Sequence, residues 1–363
     1  MKHHLLGLGA VALGLLLGHG AQADAVHSGT GPIRADGHAP IGVMGDHMHK
    51  AGEIMFAYRY MRMNMDGSRI GTDPISAQQI ATTQPNRFFG TPGQPPTLRV
   101  VPTDMVMEMH MLGAMWAPTD DVTLMAMTSY VAKSMNHLTF QGATGTTVLG
   151  TFNTATYGLG DSRLGALVRL YDDGVHHLHL NAAVSIPTGS IDEQDNVLAP
   201  NGARPVLRLP YAMQLGSGTF DLLPGMTYSG QSGSFGWGGQ VQGTLRLGRN
   251  SESYSLGDGV EATAWASYSP VPWISFSGRV LGSHLGSIDG QDPLIVAPVQ
   301  TADPDNYGGT QVSLLAGINL VGQSGFWRNQ RLAFEFGRPV YRDLNGPQLE
   351  TDWTLTLGYQ IAF

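Results

Sequence analysis

The chain has 363 residues, of which 42% are hydrophobic and 13% charged, with 49 Gly, 21 Pro, no Cys and a formal charge of −8. A charged share about half the roughly 25% of an ordinary soluble domain excludes a conventional water-facing surface, and the hydrophobic share excludes disorder. Zero Cys excludes disulfides and thiolate chemistry, and the negative balance argues against nucleic acid as a partner.

Residues 1–23 read as a cleaved signal peptide. Lys2 gives the positive start, Leu5 to Leu17 the apolar centre, and Ala21-Gln22-Ala23 the small-x-small cleavage pattern. That apolar run is well under the about 20 residues of a spanning helix. The mature chain is expected to start at Asp24, with 19 basic and 28 acidic residues (19 − 28 = −9). Residues 24–53 show no strand pattern and form a His/Met-rich segment, either hanging in the periplasm or plugging a barrel. They hold His27, His38, Met44, Asp46, His47, Met48 and His49, and the run 46–49 combines a carboxylate, two imidazoles and a thioether, ligands suited to copper.

From residue 54 onward, apolar residues recur with period 2, the signature of strands. Trp353, Leu355, Leu357, Tyr359, Ile361 and Phe363 share one face of the last segment, opposite Thr354, Thr356, Gly358 and Gln360. Such segments occupy 54–65, 104–117, 121–133, 159–171, 175–187, 219–229, 235–247, 259–269, 272–284, 308–321, 329–340 and 351–363. They leave connections of 38, 3, 25, 3, 31, 5, 11, 2, 23, 7 and 10 residues. The strict alternation of long and short connections predicts an all-β fold, a twelve-stranded antiparallel transmembrane β-barrel over 54–363, in the outer membrane of a Gram-negative bacterium. Trp116, Trp237, Trp273 and Trp327 fall near the short turns, where an interfacial girdle belongs. Phe363 resembles the C-terminal aromatic by which barrel-assembly machinery recognises its clients, so that machinery and outer-membrane lipid are expected partners.

Placing the polar faces inward puts Arg59, Arg163, Arg169, Arg246, Arg279 and Arg331 in the lumen with Asp161, Glu108, Glu261 and Glu335, because charge on the lipid face costs about 2–4 kcal/mol at the midplane. These form either a constriction or salt-bridge filler of the inner wall. Methionine clusters: of 16 beyond the initiator (17 − 1), only Met213 and Met226 lie outside 44–135. Met55, Met61, Met63 and Met65 share the face of Arg59 and are expected in the lumen, as are Met125 and Met127. On the second strand the inward choice is Glu108 and His110, leaving Met105, Met107, Met109 and Met111 outside. The lumenal Met with His110, His137 and the 24–53 segment form a candidate soft-metal site. His177 and His179 are a further inward pair read as polar lining, and the acidic stretches 192–196 and 303–306 as solvated loops.

No Gly-x-Ser-x-Gly elbow, His-Glu-x-x-His helix or phosphate-binding glycine loop occurs, so no enzyme is expected. The segments 38–47, 55–60, 186–190 (Ile-Pro-Thr-Gly-Ser), 214–219 and 236–240 (Gly-Trp-Gly-Gly-Gln) resemble a group of bacterial envelope proteins labelled transporters, or members of the meta-pathway of phenol degradation. The resemblance spans most of the mature chain and implies an outer-membrane barrel related to hydrophobic-solute channels. Two functions are therefore carried forward. One is a channel for small solutes, hydrophobic or aromatic compounds among them; the other is a Met/His copper-binding barrel for uptake, efflux or sequestration.

Overall fold

A computed structural model describes residues 34–363; the expected leader and His27 lie outside them. The strands are β1 (Ile54–Gly71), β2 (Val100–Thr119), β3 (Val122–Phe140), β4 (Val148–Leu159), β5 (Ser162–Asp172) and β6 (His176–Ile186). They continue as β7 (Asp221–Ser232), β8 (Phe235–Arg246), β9 (Gly259–Val271), β10 (Ile274–Leu285), β11 (Gly309–Val321) and β12 (Gln330–Ala362). All neighbours pair antiparallel in the order β1-β2-β3-β5-β6-β7-β8-β9-β10-β11-β12, and β12 pairs β1, so these eleven elements form a closed barrel. Closure removes the free sheet edges that an open sheet would expose.

The structure departs from the expected segments in two places. The expected connection 134–158 holds a further strand, β4, which pairs Tyr130–Phe140 of β3, and the fourth segment, 159–171, becomes β5, which pairs Val122–Met127 of the same strand. The break at Gly160 and Asp161 turns the Asp161 carboxylate inward, where it accepts from Gly189 N at 3.0 Å and Ser217 N at 2.8 Å. Segments 329–340 and 351–363 form one element, β12. Its Arg331–Leu344 stretch pairs β11 and its Leu344–Ala362 stretch pairs β1, so it runs out and back. Gly346, at φ +70°, supplies the left-handed backbone of the reversal.

β1, β2 and β3 have 18, 20 and 19 residues, beyond the about 9–11 of a bilayer crossing. Their outer halves project on the side of the long connections, where Asn64, Asp66, Ser68 and Arg69 end the apolar alternation that sequence reading relied on. Phe56, Leu112, Leu164, Val241, Leu314 and Leu332 are exposed on the outer surface, the apolar belt of a lipid-facing barrel. Trp116, Trp273 and Trp327 stand exposed beside the short turns, whereas Trp237 is half-buried and donates to Tyr228 Oη at 3.2 Å.

The long connections fold over the outer mouth. Residues 211–217 dip inward, held where Lys133 Nζ donates to Ala212 O at 2.9 Å and to Gln214 O at 2.5 Å, and where Thr156 donates to Met213 O at 2.8 Å. Two loop clusters bury their own cores, one around Tyr211, Tyr254, Ile288, Ile295 and Val299, the other around Ile80, Leu98, Val101 and Phe140.

Candidate functional site: plug, lumen and outer cavity

Residues 34–53 lie inside the short-turn end of the barrel. A buried irregular segment must find partners for its backbone groups, and here the wall's polar side chains supply them. Arg331 donates to Ala39 O at 2.5 Å, Arg59 to Val43 O at 3.3 Å and Gln240 to Met44 O at 2.8 Å. His179 lies 2.9 Å and Asn181 3.2 Å from Gly45 O, while Thr123 Oγ1 accepts from His49 N at 3.0 Å. Ala39 and Val43 also pack on Trp265. The wall polarity read as lumen lining is thus largely a mould for this plug.

The inward arginines divide accordingly. Arg331 also bonds Asn319 and Gln360, Arg279 makes a buried ion pair with Glu335, and Arg246 pairs Asp221. Arg169 is no constriction residue: it sits at the short-turn end, bonding Asp172 and the Asp120 carbonyl. Arg163 and Glu261 line the lumen with no hydrogen-bonding partner among the described residues.

Above the plug a chamber of about 560 Å³ remains, bounded below by Ile41, Gly42 and Met44 and above by residues 211–217 and Tyr307. Its side wall carries Arg59, Lys133, Asp161, Arg163, Asp221 and Glu261 together with thioethers. Pairing places Met61 opposite Met109, Met63 opposite Met107, and Met65 opposite Met105, which in turn faces Met135. Met55 pairs Met115, which pairs Met125 at the plug's level. Opposed residues share a face, and Met55, Met105, Met111 and Met135 are buried.

This register reverses one expectation. Met105, Met107, Met109 and Met111 face inward, and Glu108 and His110 face outward. Glu108 is tolerated there because Tyr60 Oη and Arg62 donate to it, and Arg62 in turn lies over the Trp353 ring at 5.9 Å. His110 Nδ1 is 2.7 Å from Tyr58 Oη on the same outer face. His110 therefore joins no lumenal cluster, and His137, stacked on Phe152 at 4.6 Å, belongs to the outer cavity. His177 contacts Asp172 at 3.0 Å, and His176 contacts Tyr228 on the outer face.

The 46–49 run does assemble a cluster. Ligand atoms of His38, Asp46 and His47 lie within 4.8 Å of one another, and the His47 and His49 rings are 4.9 Å apart. His38, His47, His49 and Met55 border one small cavity of about 30 Å³. His47 Nδ1 is 3.0 Å from Asp46 Oδ1 but poorly angled, so neither His47 nitrogen is hydrogen-bonded. Burial, with Arg331 and His47 adding, holds the His38 imidazole well below its ordinary 6.5, and burial also lowers His49 despite Glu53 beside it. Burial would raise Asp46, but His47 and Arg331 outweigh it and keep the carboxylate ionised. Met44 lines the chamber instead, and Met48 is half-buried outside the cluster. Met61 lines the chamber, Met65 packs under the loops, and Met63 Sδ accepts from Thr351 at 3.6 Å.

A second large cavity, about 640 Å³, lies among the outer loops and was not legible in sequence. Phe89, Phe152, Leu198, Leu207, Val296 and Val299 line it, and they come from β4 and from connections far apart in the chain.

No family model matches the chain, and no curated protein matches it by sequence. Among solved structures, an outer-membrane channel from Pseudomonas putida F1 is similar at TM-score 0.57 and 15% identity, covering 88% of this chain and 99% of that one. The chain shares the β-barrel fold of that protein. A Pseudomonas aeruginosa FadL homologue (TM-score 0.44, 11% identity, 91% of this chain and 98% of that) is more distant. So is the toluene transporter TodX of P. putida (TM-score 0.40, 10% identity, 87% and 91%).

Proposed function

We propose that the protein, exported by its leader and inserted by the barrel-assembly machinery, is a plugged outer-membrane channel for small solutes and not an enzyme. Counting β12 as an outgoing and a returning strand, and β4 with β5 as one broken strand, gives twelve wall crossings. The observation that carries this reading is the chamber of about 560 Å³ between the seated plug and the inturned loop. It is a solute-sized space, of the roughly 300–1,000 Å³ that ligand sites occupy.

The apolar outer cavity fits a first capture site for small hydrophobic or aromatic compounds, in keeping with the resemblance to barrels labelled for phenol degradation. Exit to the periplasm then requires the plug to shift, because it fills the lumen below. The test is uptake of a small aromatic such as phenol into liposomes holding the purified mature protein, read beside single-channel conductance. Uptake above that of empty liposomes is expected; liposomes that exclude both the aromatic and ions would overturn the channel reading.

A further inference from the structure

The plug's imidazoles are only partly satisfied by their neighbours: His49 Nδ1 meets Glu53 Oε2 at 3.3 Å, and His47 Nδ1 lies 3.0 Å from Asp46 Oδ1 in poor alignment. The plug's carbonyls at 39, 43, 44 and 45 are each caught by a wall side chain, yet His38 Nδ1, both His47 nitrogens and His49 Nε2 are buried without a hydrogen-bond partner. Unpaired buried nitrogen atoms cost stability, and a folded protein that keeps several side by side calls for an explanation.

Their geometry supplies one. Donor atoms of His38, Asp46 and His47 lie within 4.8 Å of one another, and closing the widest gap by about 1 Å would set them around an ion about 2.0–2.2 Å from each. His49 borders the same cavity, and its volume of about 30 Å³ admits an ion. Asp46 contributes the negative charge. Arg331 approaches as a cation, but its nitrogens are committed to Ala39 O, Asn319 and Gln360.

The donor set also selects among metals. Three imidazoles and one carboxylate do not suit Mg²⁺ or Ca²⁺, which take oxygen ligands, whereas they suit copper and zinc. Thioethers decide between these two, because they favour copper in its reduced form. Met55 borders the cavity itself, and the inward methionines of β1, β2 and β3 rise from its level to the Met65–Met105–Met135 row beneath the outer loops.

We propose that the plug binds one copper ion between His38, Asp46, His47 and His49, and that the methionine wall is the path by which copper reaches it from the outer side. The binding site stands on its own geometry, while the path rests on the channel reading above.

The experiment has two arms. In detergent micelles the mature protein is loaded with Cu(I) under ascorbate, with Cu(II) or with Zn(II), desalted, and its metal counted. One copper per chain is expected. His38→Ala and His49→Ala should each weaken it by about 100-fold or more against a chromophoric chelator, with heat-modifiable gel mobility reporting an intact barrel. His176→Ala, on the outer face, serves as the unaffected control. Wild-type protein that retains no copper, that prefers zinc, or that binds as well after His38→Ala with His47→Ala overturns the site.

In the second arm, liposomes enclose a copper indicator. Met61→Leu with Met109→Leu should slow copper entry several-fold while micellar affinity stays unchanged, and unslowed entry overturns the path. Failure of the channel reading shows separately, as exclusion of copper and phenol alike by wild-type liposomes whose protein still binds copper in micelles.

Discussion

The guanidinium of Arg331, on β12, reaches the backbone carbonyl of Ala39 in the plug at 2.5 Å while its other nitrogens bond Asn319 of β11 and Gln360 on the returning half of β12. One side chain thus ties three passes of chain together. Hydrogen bonds from a charged donor contribute about 1.5–3 kcal/mol. Arg331→Ala should therefore loosen the plug, and planar-bilayer recordings should show larger or more frequent openings than wild type. Recordings identical to wild type would mean that the plug is seated by other contacts.

Gly42 sits where a Cβ atom would run into the Arg279 guanidinium and the Glu335 carboxylate. Gly42→Val should therefore unseat the plug. Limited proteolysis should then cleave within residues 34–53 at least several-fold faster than in wild type, with the barrel band itself intact.

The Arg279–Glu335 pair is almost fully enclosed, with side-chain exposures of 6% and 1%. Removing one partner leaves the other charge buried and unpaired, at a cost of about 3–5 kcal/mol. Glu335→Ala should lower the temperature at which the folded gel band is lost. Arg279→Met combined with Glu335→Leu should recover much of that loss.

Acid should weaken plug docking. With the plug seated, His38 is held well below 6.5 by burial, Arg331 and His47; the plug released into water titrates near 6.5. Above that pH both forms are neutral and docking is unaffected. As pH falls through it, the released form takes up protons that the seated form refuses, so docking weakens progressively. His49 acts in the same direction, the nearby Glu53 reducing its effect. Asp46, ionised when seated, adds a further loss only below its ordinary 3.8. Open probability should rise between about pH 7 and pH 5, and the rise should shrink in His38→Gln.

Leu207 stands at the rim of the outer apolar cavity, 38% exposed. A charge there would have to be desolvated by any apolar solute that settles against it. Leu207→Asp should slow phenol uptake into liposomes several-fold and leave the ionic conductance of open channels unchanged.

Much of the barrel was legible in the sequence because period-2 alternation is a local property. The outward row ending at Phe363 and the inward Arg59, Arg279 and Arg331 follow from it directly. The second strand failed because Met and Glu alternate there, and the price of lipid-facing charge favoured the wrong row. Pairing settles the face, since Met61 opposes Met109 and Met63 opposes Met107. Glu108 then escapes the penalty through Arg62 and Tyr60, two partners that single-strand reasoning does not supply. The 46–49 run and His38 flagged the imidazole–carboxylate cluster, but that Met55 borders it emerges only in the fold. The outer cavity left no local signal, because its walls come from β4 and from separate loops.

β12 pairs β1, and Ile54 and Phe363 exchange backbone hydrogen bonds at 3.1 and 2.8 Å across that seam. The earliest and latest strands are therefore each other's neighbours, and the ring cannot shut before nearly all of the chain is present. The plug lies upstream of β1 yet is gripped by β3, β6, β8 and β12, so its seat does not exist until those strands stand side by side. Closing the cylinder around the plug and delivering the plug to its seat become a single late event, and a chain stalled before β12 would present an open edge and an unclaimed imidazole-bearing tail together.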